Sequence, residues 1–348
     1  MLLSMLYLGA RNESEAELKS ALGYRSIGLN GDEPHAAMKH LLSNLRTELK
    51  SASGKGYTLE LANAVWIQNG FNVLKEYKDK LNDFYDTETQ EVDFQTHGQI
   101  VQQRVNNWVQ WKTSNMITSL LEEPLSTNTR LFLTNAVFFK GTWLYKFDKQ
   151  FTLDLNFYNE GRKDRPKLVP FMSQTLKIPF ANINELNAKA IELPYSGSDV
   201  SMLILLPHER DGLSKLEKTL TASTLRAIYS RLSRKDVAVH LPKFRLEQNF
   251  DLRLFLERLG VKSIFDESKA NLAGIDGVGN LYVSKALHKS AIEVNEEGTK
   301  ASAVSAAATS VRTSSIRLEY FSAEHPFLFI IRDKKSGLIL FLGRVSSF

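Results

Sequence analysis

The residue types that carry out catalysis are present in this 348-residue chain, cysteine excepted, but in no arrangement that reads as a catalytic motif. It has no cysteine, which removes thiolate nucleophiles, disulfides and thiolate metal sites together. Its seven histidines do not cluster at metal-ligand spacing. No H-E-x-x-H, G-x-S-x-G or G-x-x-x-x-G-K-[ST] run occurs. Gly274-Ile275-Asp276-Gly277-Val278-Gly279 is glycine-rich, but its order is wrong for a dinucleotide loop and reads as a turn. One stretch invites chemistry of another kind, done to the chain rather than by it. From Thr299 to Ser315 there is no aromatic residue, Leu, Met or Ile, and Lys300 and Arg312 are the only charges. Residues 297–317 therefore read as an exposed bait that a protease can cleave, and the chain as no enzyme.

Three plainer readings compete for this stretch. Its alanines favour a helix, but its Val, Ser and Thr content weakens that. A passive linker would leave the apolar run beyond it orphaned. An ordinary loop of this length is usually functional. The alternation adds a clue. Thr299, Ala301, Ala303, Ser305, Ala307 and Thr309 are all small and uncharged, whereas Lys300 falls in the other set. A segment that enters a sheet with one side buried needs this period of two.

The remaining sequence supplies the elements that would hold such a bait. Residues 1–10 read as a buried helix, since they lack a basic leader. Ser14 and Glu17 have the spacing of a capping box, and Gly23 ends the short helix after it. Met38, Leu41, Leu42, Leu45 and Leu49 recur at helical spacing over 33–50. Lys39, Arg46 and Lys50 lie on other faces, as a solvated surface or a polyanion-binding one. Residues 57–67 read as a strand, and 98–121 as a helix with Val105, Trp108, Val109, Ile117, Leu120 and Leu121 toward the core. Strands then dominate at 131–139, 190–195, 200–207 and 237–244. The run 200–207 is apolar almost throughout, as a strand covered on both faces requires. A helix at 250–260 and strand structure at 281–294 follow. Residues 325–345 read as a hairpin of two central strands around a charged turn ending in Gly337. No linker or repeat divides the chain, so it reads as one α+β domain with large sheets.

Charge and hydropathy exclude other classes. The formal net charge of +5 is small for this length and spread along the chain, so no nucleic-acid footprint is expected. No apolar run approaches the roughly 18–20 residues that span a bilayer. Asn12-Glu13-Ser14 is a glycosylation sequon, relevant to a secreted protein.

Several motifs in order resemble the serpin family. Glu296-Glu297-Gly298-Thr299 followed by small residues resembles its hinge. Thr134-Asn135-Ala136-Val137-Phe138-Phe139-Lys140-Gly141-Thr142-Trp143 resembles its central strand signature. Glu192-Leu193-Pro194-Tyr195, Leu241-Pro242-Lys243-Phe244, His325-Pro326-Phe327 and Phe341-Leu342-Gly343-Arg344-Val345 resemble further signatures. The match runs over nearly the whole chain.

The resemblance implies a single serpin domain over 1–348, with three β-sheets, surrounding helices and an exposed reactive-centre loop at 295–318. It implies a hinge at Glu297, Gly298 and Thr299, and an insertion face of Ala301, Ala303, Ser305, Ala307 and Thr309. Counting fourteen residues from Gly298, as the family does, gives a cleaved bond at Arg312-Thr313. Asn135 and His288 match a hydrogen-bonded shutter beneath the sheet. The implied activity is suicide inhibition of a trypsin-like serine protease as covalent partner, without a cofactor or metal. A heparin-like glycosaminoglycan is a further implied partner, and the protein is expected to be a secreted monomer. The alternative is a non-inhibitory member acting as carrier, chaperone or storage protein. Two departures stand out. Lys300 occupies a position that is acidic in many members. The family also has a further helix, a buried strand and shutter serines before the equivalent of Met1, so the chain reads as N-terminally truncated, with any signal peptide in the missing part.

Overall fold

The computed structural model describes residues 1–51, 56–87, 89–197, 199–298 and 318–348, the side chains of 45–51 excepted. Thr299, Ala301, Ala303, Ser305, Ala307, Thr309, Arg312 and Thr313, and the side chains of Arg46 and Lys50, lie outside the described residues. The chain forms two compact units, each drawn from three stretches of sequence.

The first unit comprises Met1–Ser51, Leu59–Phe139 and Leu246–Ile292. It opens with helices α1 (Leu2–Gly9), α2 (Asn12–Ala21) and α3 (Glu33–Ser51). Strand β1 (Tyr57–Gln68), α4 (Lys75–Tyr85), β2 (Thr89–Val92), α5 (Gly98–Lys112) and β3 (Leu131–Gly141) follow. These strands join two later ones in a five-stranded sheet. Alternate residues feed two cores. Val65, Ile67, Leu131 and Leu133 pack with α1 and α4. Ala62, Ala64, Trp66, Phe132 and Phe138 pack with Val101, Val105 and Val109 of α5. A sheet covered on both faces explains why these strands read as nearly unbroken apolar runs.

Two local expectations are overturned here. Arg11 stands at the N-cap of α2, and no side chain caps that helix. Ser14 Oγ instead bonds Ser263 Oγ at 2.9 Å and accepts from Asn271 N at 3.0 Å. Glu17 accepts from Lys262 N and Ser263 N, both at 2.8 Å. The apparent capping box thus serves another helical turn 245 residues away, where an anionic carboxylate suits exposed N–H groups. The helix expected over 98–121 ends at Lys112. Thr113 Oγ1 donates to Val109 O at 2.8 Å and accepts from Ile117 N, and Ser114 and Asn115 adopt positive φ. Ile117, Leu120 and Leu121 are buried as expected, from the loop instead of the helix.

The second unit comprises Ala52–Thr58, Lys140–Arg245 and Glu293–Phe348. Its early strands are β4 (Leu153–Tyr158), β5 (Pro166–Ile183), β6 (Ala188–Pro194) and β7 (Val200–Pro207). Helices α6 (Leu213–Thr219) and α7 (Ala222–Arg231) precede β8 (Ser233–Pro242) and β9 (Phe244–Asp251). α8 (Arg253–Arg258), α9 (Ala273–Asp276) and nearly all of β10 (Val283–Val294) belong to the first unit, and the second unit closes with β11 (Glu319–Ser322), β12 (Phe327–Asp333) and β13 (Ile339–Val345). The five-stranded sheet runs β2-β1-β3-β10-β9. The eight-stranded sheet runs β11-β8-β5-β6-β7-β12-β13, with β4 on β5. The 18-residue β5 pairs with β4, β8 and β6 in turn, so two of the three implied sheets join in one continuous ladder. β7 is buried at every residue. The closing hairpin forms with the expected pairing, Phe327↔Val345 to Arg332↔Ile339. Only β12 is central, however; β13 is an edge strand, with Leu342 61% exposed.

Candidate functional site

Glu297 and Gly298 of the expected hinge lie where β10 runs out. Asn295 and Gly298 make an isolated antiparallel bridge, with Gly298 N donating to Asn295 O at 3.0 Å. Gly298 has φ +87°, and a Cβ there would collide with Gly141 O, Trp143 N and Thr142 Cα. Both backbone freedom and space therefore require glycine. The segment after β3 fixes the hinge carbonyls. Trp143 N donates to Glu297 O at 3.0 Å, and Phe147 N to Glu296 O at 2.9 Å. The Trp143 indole donates to Asn295 O at 2.9 Å and stacks on Tyr195, 4.4 Å between centroids.

Two ion pairs lock the same turn. Glu296 is 4% exposed, and Lys243 Nζ reaches both of its oxygens at 3.0 Å. Thr152 Oγ1 donates a further bond at 2.9 Å. Burial opposes ionisation of Glu296, but its backbone N–H, Lys243 and Thr152 outweigh it and hold the carboxyl below its usual range. Glu297 pairs with Lys149 at 3.1 Å nearer the surface, where such a pair contributes about 1 kcal/mol or less. Lys149 and Thr152 carried no signal in the sequence, and Lys243 stood in a signature that gave no hint of this pairing, because these roles exist only through contacts across 50 residues or more.

The β3 and β10 strands that the hinge would separate are direct parallel neighbours, from Val283↔Leu131 to Ile292↔Phe139. Asn135 and His288 lie opposite each other in this register. His288 Nδ1 donates to Asn135 Oδ1, and Asn135 Nδ2 donates to Asn63 Oδ1 at 2.7 Å. The chain Asn63–Asn135–His288 thus crosses β1, β3 and β10. Phe250 of β9 stacks on the His288 ring, 6.3 Å between centroids. Asn63 and Phe250 extend the expected pair.

Acid should weaken this arrangement. Burial lowers the pKa of His288 and His325, and pushes His35, bonded to the Tyr85 hydroxyl, down to about 4. Below their ordinary value of 6.5, the unfolded chain binds more protons than the folded one at these sites, so stability falls with pH. Glu296 acts in the same sense: its contribution is complete above pH 4.5 and is lost as pH falls through its lowered pKa. The melting temperature should therefore drop progressively from pH 7.5 to pH 4. A scan in which it holds or rises contradicts the assignment of neutral buried histidines.

The remaining expected residues separate. Lys39 pairs with Asp83 at 2.6 Å, both side chains being exposed. Asn12 is exposed at the start of α2, while Ser14 of its sequon is buried. Among the described residues no group of three or more His, Asp or Glu is placed to hold a metal. No described helix is long and apolar enough to cross a membrane.

A family model described as serpin (serine protease inhibitor) matches residues 1–348. Intracellular coagulation inhibitor 1 of Tachypleus tridentatus is 45% identical over 346 residues, covering 99% of this chain and 81% of that protein. Leukocyte elastase inhibitor of Equus caballus is 38% identical, covering 99% and 90%. Among solved structures, native protease nexin-1 with heparin superposes with a TM-score of 0.85 at 32% identity, covering 100% and 90%. The chain belongs to the serpin family, and the two relatives named here are called inhibitors. The word "intracellular" in the first relative's name runs against the expectation of a secreted glycoprotein.

Proposed function

We propose that this protein irreversibly inhibits trypsin-like serine proteases, which cleave it at Arg312-Thr313 and are trapped as the acyl-enzyme. The observation that supports this reading most is the parallel β3–β10 pair with a turned hinge at the end of β10. A chain that turns back at Asn295–Gly298 and enters between the pair runs antiparallel to both neighbours. One less favourable parallel ladder is exchanged for two antiparallel ones. Each added ladder bond contributes about 1 kcal/mol, so a strand of about a dozen residues gains on the order of 10 kcal/mol. The uncleaved fold is then metastable, held by the hinge pairs and by the Asn63–Asn135–His288 shutter.

The chemistry follows the protease's own cycle. Its serine Oγ attacks the Arg312 carbonyl carbon, and the Thr313 nitrogen leaves as an amine with a proton from the protease histidine. The Arg312 carbonyl is then esterified to the serine. Fourteen residues from Thr299 to Arg312 span roughly 46 Å as a strand. Insertion drags the protease that distance and distorts its oxyanion hole before water can release it. The small, uncharged set from Thr299 to Thr309 suits entry into the sheet and speaks against a carrier or storage role. Heparin-like partners have weaker support: protease nexin-1 is titled with heparin, but Lys39 here is paired with Asp83.

Arg312→Ala tests the reactive bond. It removes a charge-assisted contact with the carboxylate of a trypsin-like specificity pocket, about 3 kcal/mol. Trypsin should be inhibited about a hundredfold more slowly or not at all, while elastase-type enzymes become targets. Trypsin inhibition at the wild-type rate would place the reactive bond elsewhere.

A further inference from the structure

A cleft of about 850 Å³ within the first unit crosses the seam between β3 and β10. One wall is the loop that runs from α5 into β3, with Glu122 and Glu123 exposed on it. Side chains of α5 hold this loop. Gln102 Nε2 donates to Glu122 O at 2.8 Å, and Asn106 Oδ1 accepts from Leu120 N and Leu121 N at 2.8 and 2.9 Å. The other wall is β10 with α8, carrying Lys285 and Arg253. Leu121 and Leu287, each 5% exposed, add apolar lining from either wall. Long hydrogen bonds already bridge the two sides, Asn249 Nδ2 to Leu120 O at 3.2 Å and the Tyr282 hydroxyl to Asn128 O at 3.3 Å.

Lys285 is the member that asks for a ligand. The β3–β10 register shifts between Val283 and Lys285, and this bulge sets Lys285 opposite Phe132, a residue of the core beneath α5. Bulges re-aim side chains beside functional sites. Lys285 is half-buried in the cleft and makes no hydrogen bond or ion pair among the described residues. Arg253, by contrast, pairs with Glu257 through Nε at 2.8 Å. An ammonium partly withdrawn from water without a partner is costly, and an anion relieves that cost. Across the cleft the Glu122 and Glu123 carboxylates are likewise unpaired among the described residues. Opposite charges on opposite walls, with a leucine from each, match a molecule that has a carboxylate at one end, an ammonium at the other and an apolar stem between.

We propose that this cleft binds a small zwitterion of that kind, which clamps the β3 side of the sheet to the β10 side. Lys285 takes the carboxylate, and Glu122 or Glu123 the ammonium. The clamping effect rests on the reading that β3 and β10 part to admit the loop. A bound molecule must then let go of one wall, so it favours the uncleaved fold by its differential affinity for the two states. The probe is ε-aminocaproate, with hexanoate and hexylamine as molecules of similar length that each lack one charged end. At ten times its dissociation constant, ε-aminocaproate should raise the melting temperature of the uncleaved protein by about 2 °C. It should also slow insertion by up to about tenfold, so that more inhibitor is consumed per protease trapped. Lys285→Gln, which keeps the length of the side chain and removes its charge, should abolish both effects. The double variant Glu122→Gln with Glu123→Gln should do the same, and Lys269→Gln, outside the cleft, should keep both. No melting shift in the wild type, an equal shift with hexanoate or hexylamine, or a shift that survives Lys285→Gln overturns the site. A shift that depends on Lys285 but leaves consumption unchanged overturns the clamp. If the wild type traps no protease, the reading of the bait fails, and the melting shifts alone decide the site.

Discussion

Glu296→Lys should destabilise the uncleaved protein by about 3–4 kcal/mol and turn part of it into oligomers. The carboxylate is 4% exposed and holds Lys243 and Thr152 together over the end of β10. Reversal places two ammonium groups where one ion pair stood, with the Thr152 hydroxyl left without its acceptor. Lys243 is about a third exposed, so water screens part of the repulsion and the lower end of the buried-pair range applies. For a chain of this length, the unfolding entropy converts that loss into a drop of about 5 °C in melting temperature. A loosened hinge also eases separation of β3 from β10, which lets one molecule's loop add to another's open sheet. Differential scanning fluorimetry and native gels read both effects. The double variant Glu296→Lys with Lys243→Glu restores an opposite-charge pair and should recover most of the melting temperature. An unchanged melting temperature in the single variant, or no recovery in the double, would show that the pair does not hold the hinge.

Thr299→Arg should convert the inhibitor into a substrate. Gly298 fixes where the chain turns after β10, and on the proposed mechanism the alternation of small residues would put Thr299 first into the sheet with its side chain inward. The β3–β10 environment that would receive it is covered by buried residues on both faces. An arginine entering there loses its water without gaining a partner, at several kcal/mol even after relaxation. Insertion then lags behind hydrolysis of the acyl-enzyme. Cleavage at Arg312 continues, but the inhibitor consumed per protease trapped should rise at least about tenfold, since each 1.4 kcal/mol on the insertion barrier is a factor of ten. Thr299→Ser should behave as wild type. A Thr299→Arg protein that still traps protease one for one would sink the insertion mechanism.

What the sequence made legible was local or periodic. Gly298 is a glycine because nothing else fits its φ and its neighbours, and it stood at the start of an alternating run. β7 and the closing hairpin were readable from apolar runs and a charged turn. Ser14 and Glu17 misled because a capping-box spacing says nothing about where the two side chains point; both reach Ser263 instead. The helix after Gly98 was extended too far because Ile117, Leu120 and Leu121 kept the apolar pattern after Thr113 had already closed the helix. The hinge pairs were illegible for a different reason. Lys149 is an ordinary lysine in sequence, the signature around Lys243 does not name its partner, and only the fold brings them to Glu297 and Glu296. The edge position of β13 was equally hidden, since an apolar strand looks central from its composition alone.

The central claim is that cleavage at Arg312 traps the protease by an ester bond while the loop inserts. Incubation with trypsin, followed by a denaturing gel and mass spectrometry of the products, tests it most directly. The account predicts a band resistant to detergent and heat, containing residues 1–312 joined through Arg312 to the protease serine, with fragment 313–348 released. Free fragments 1–312 and 313–348 beside fully active trypsin would contradict it.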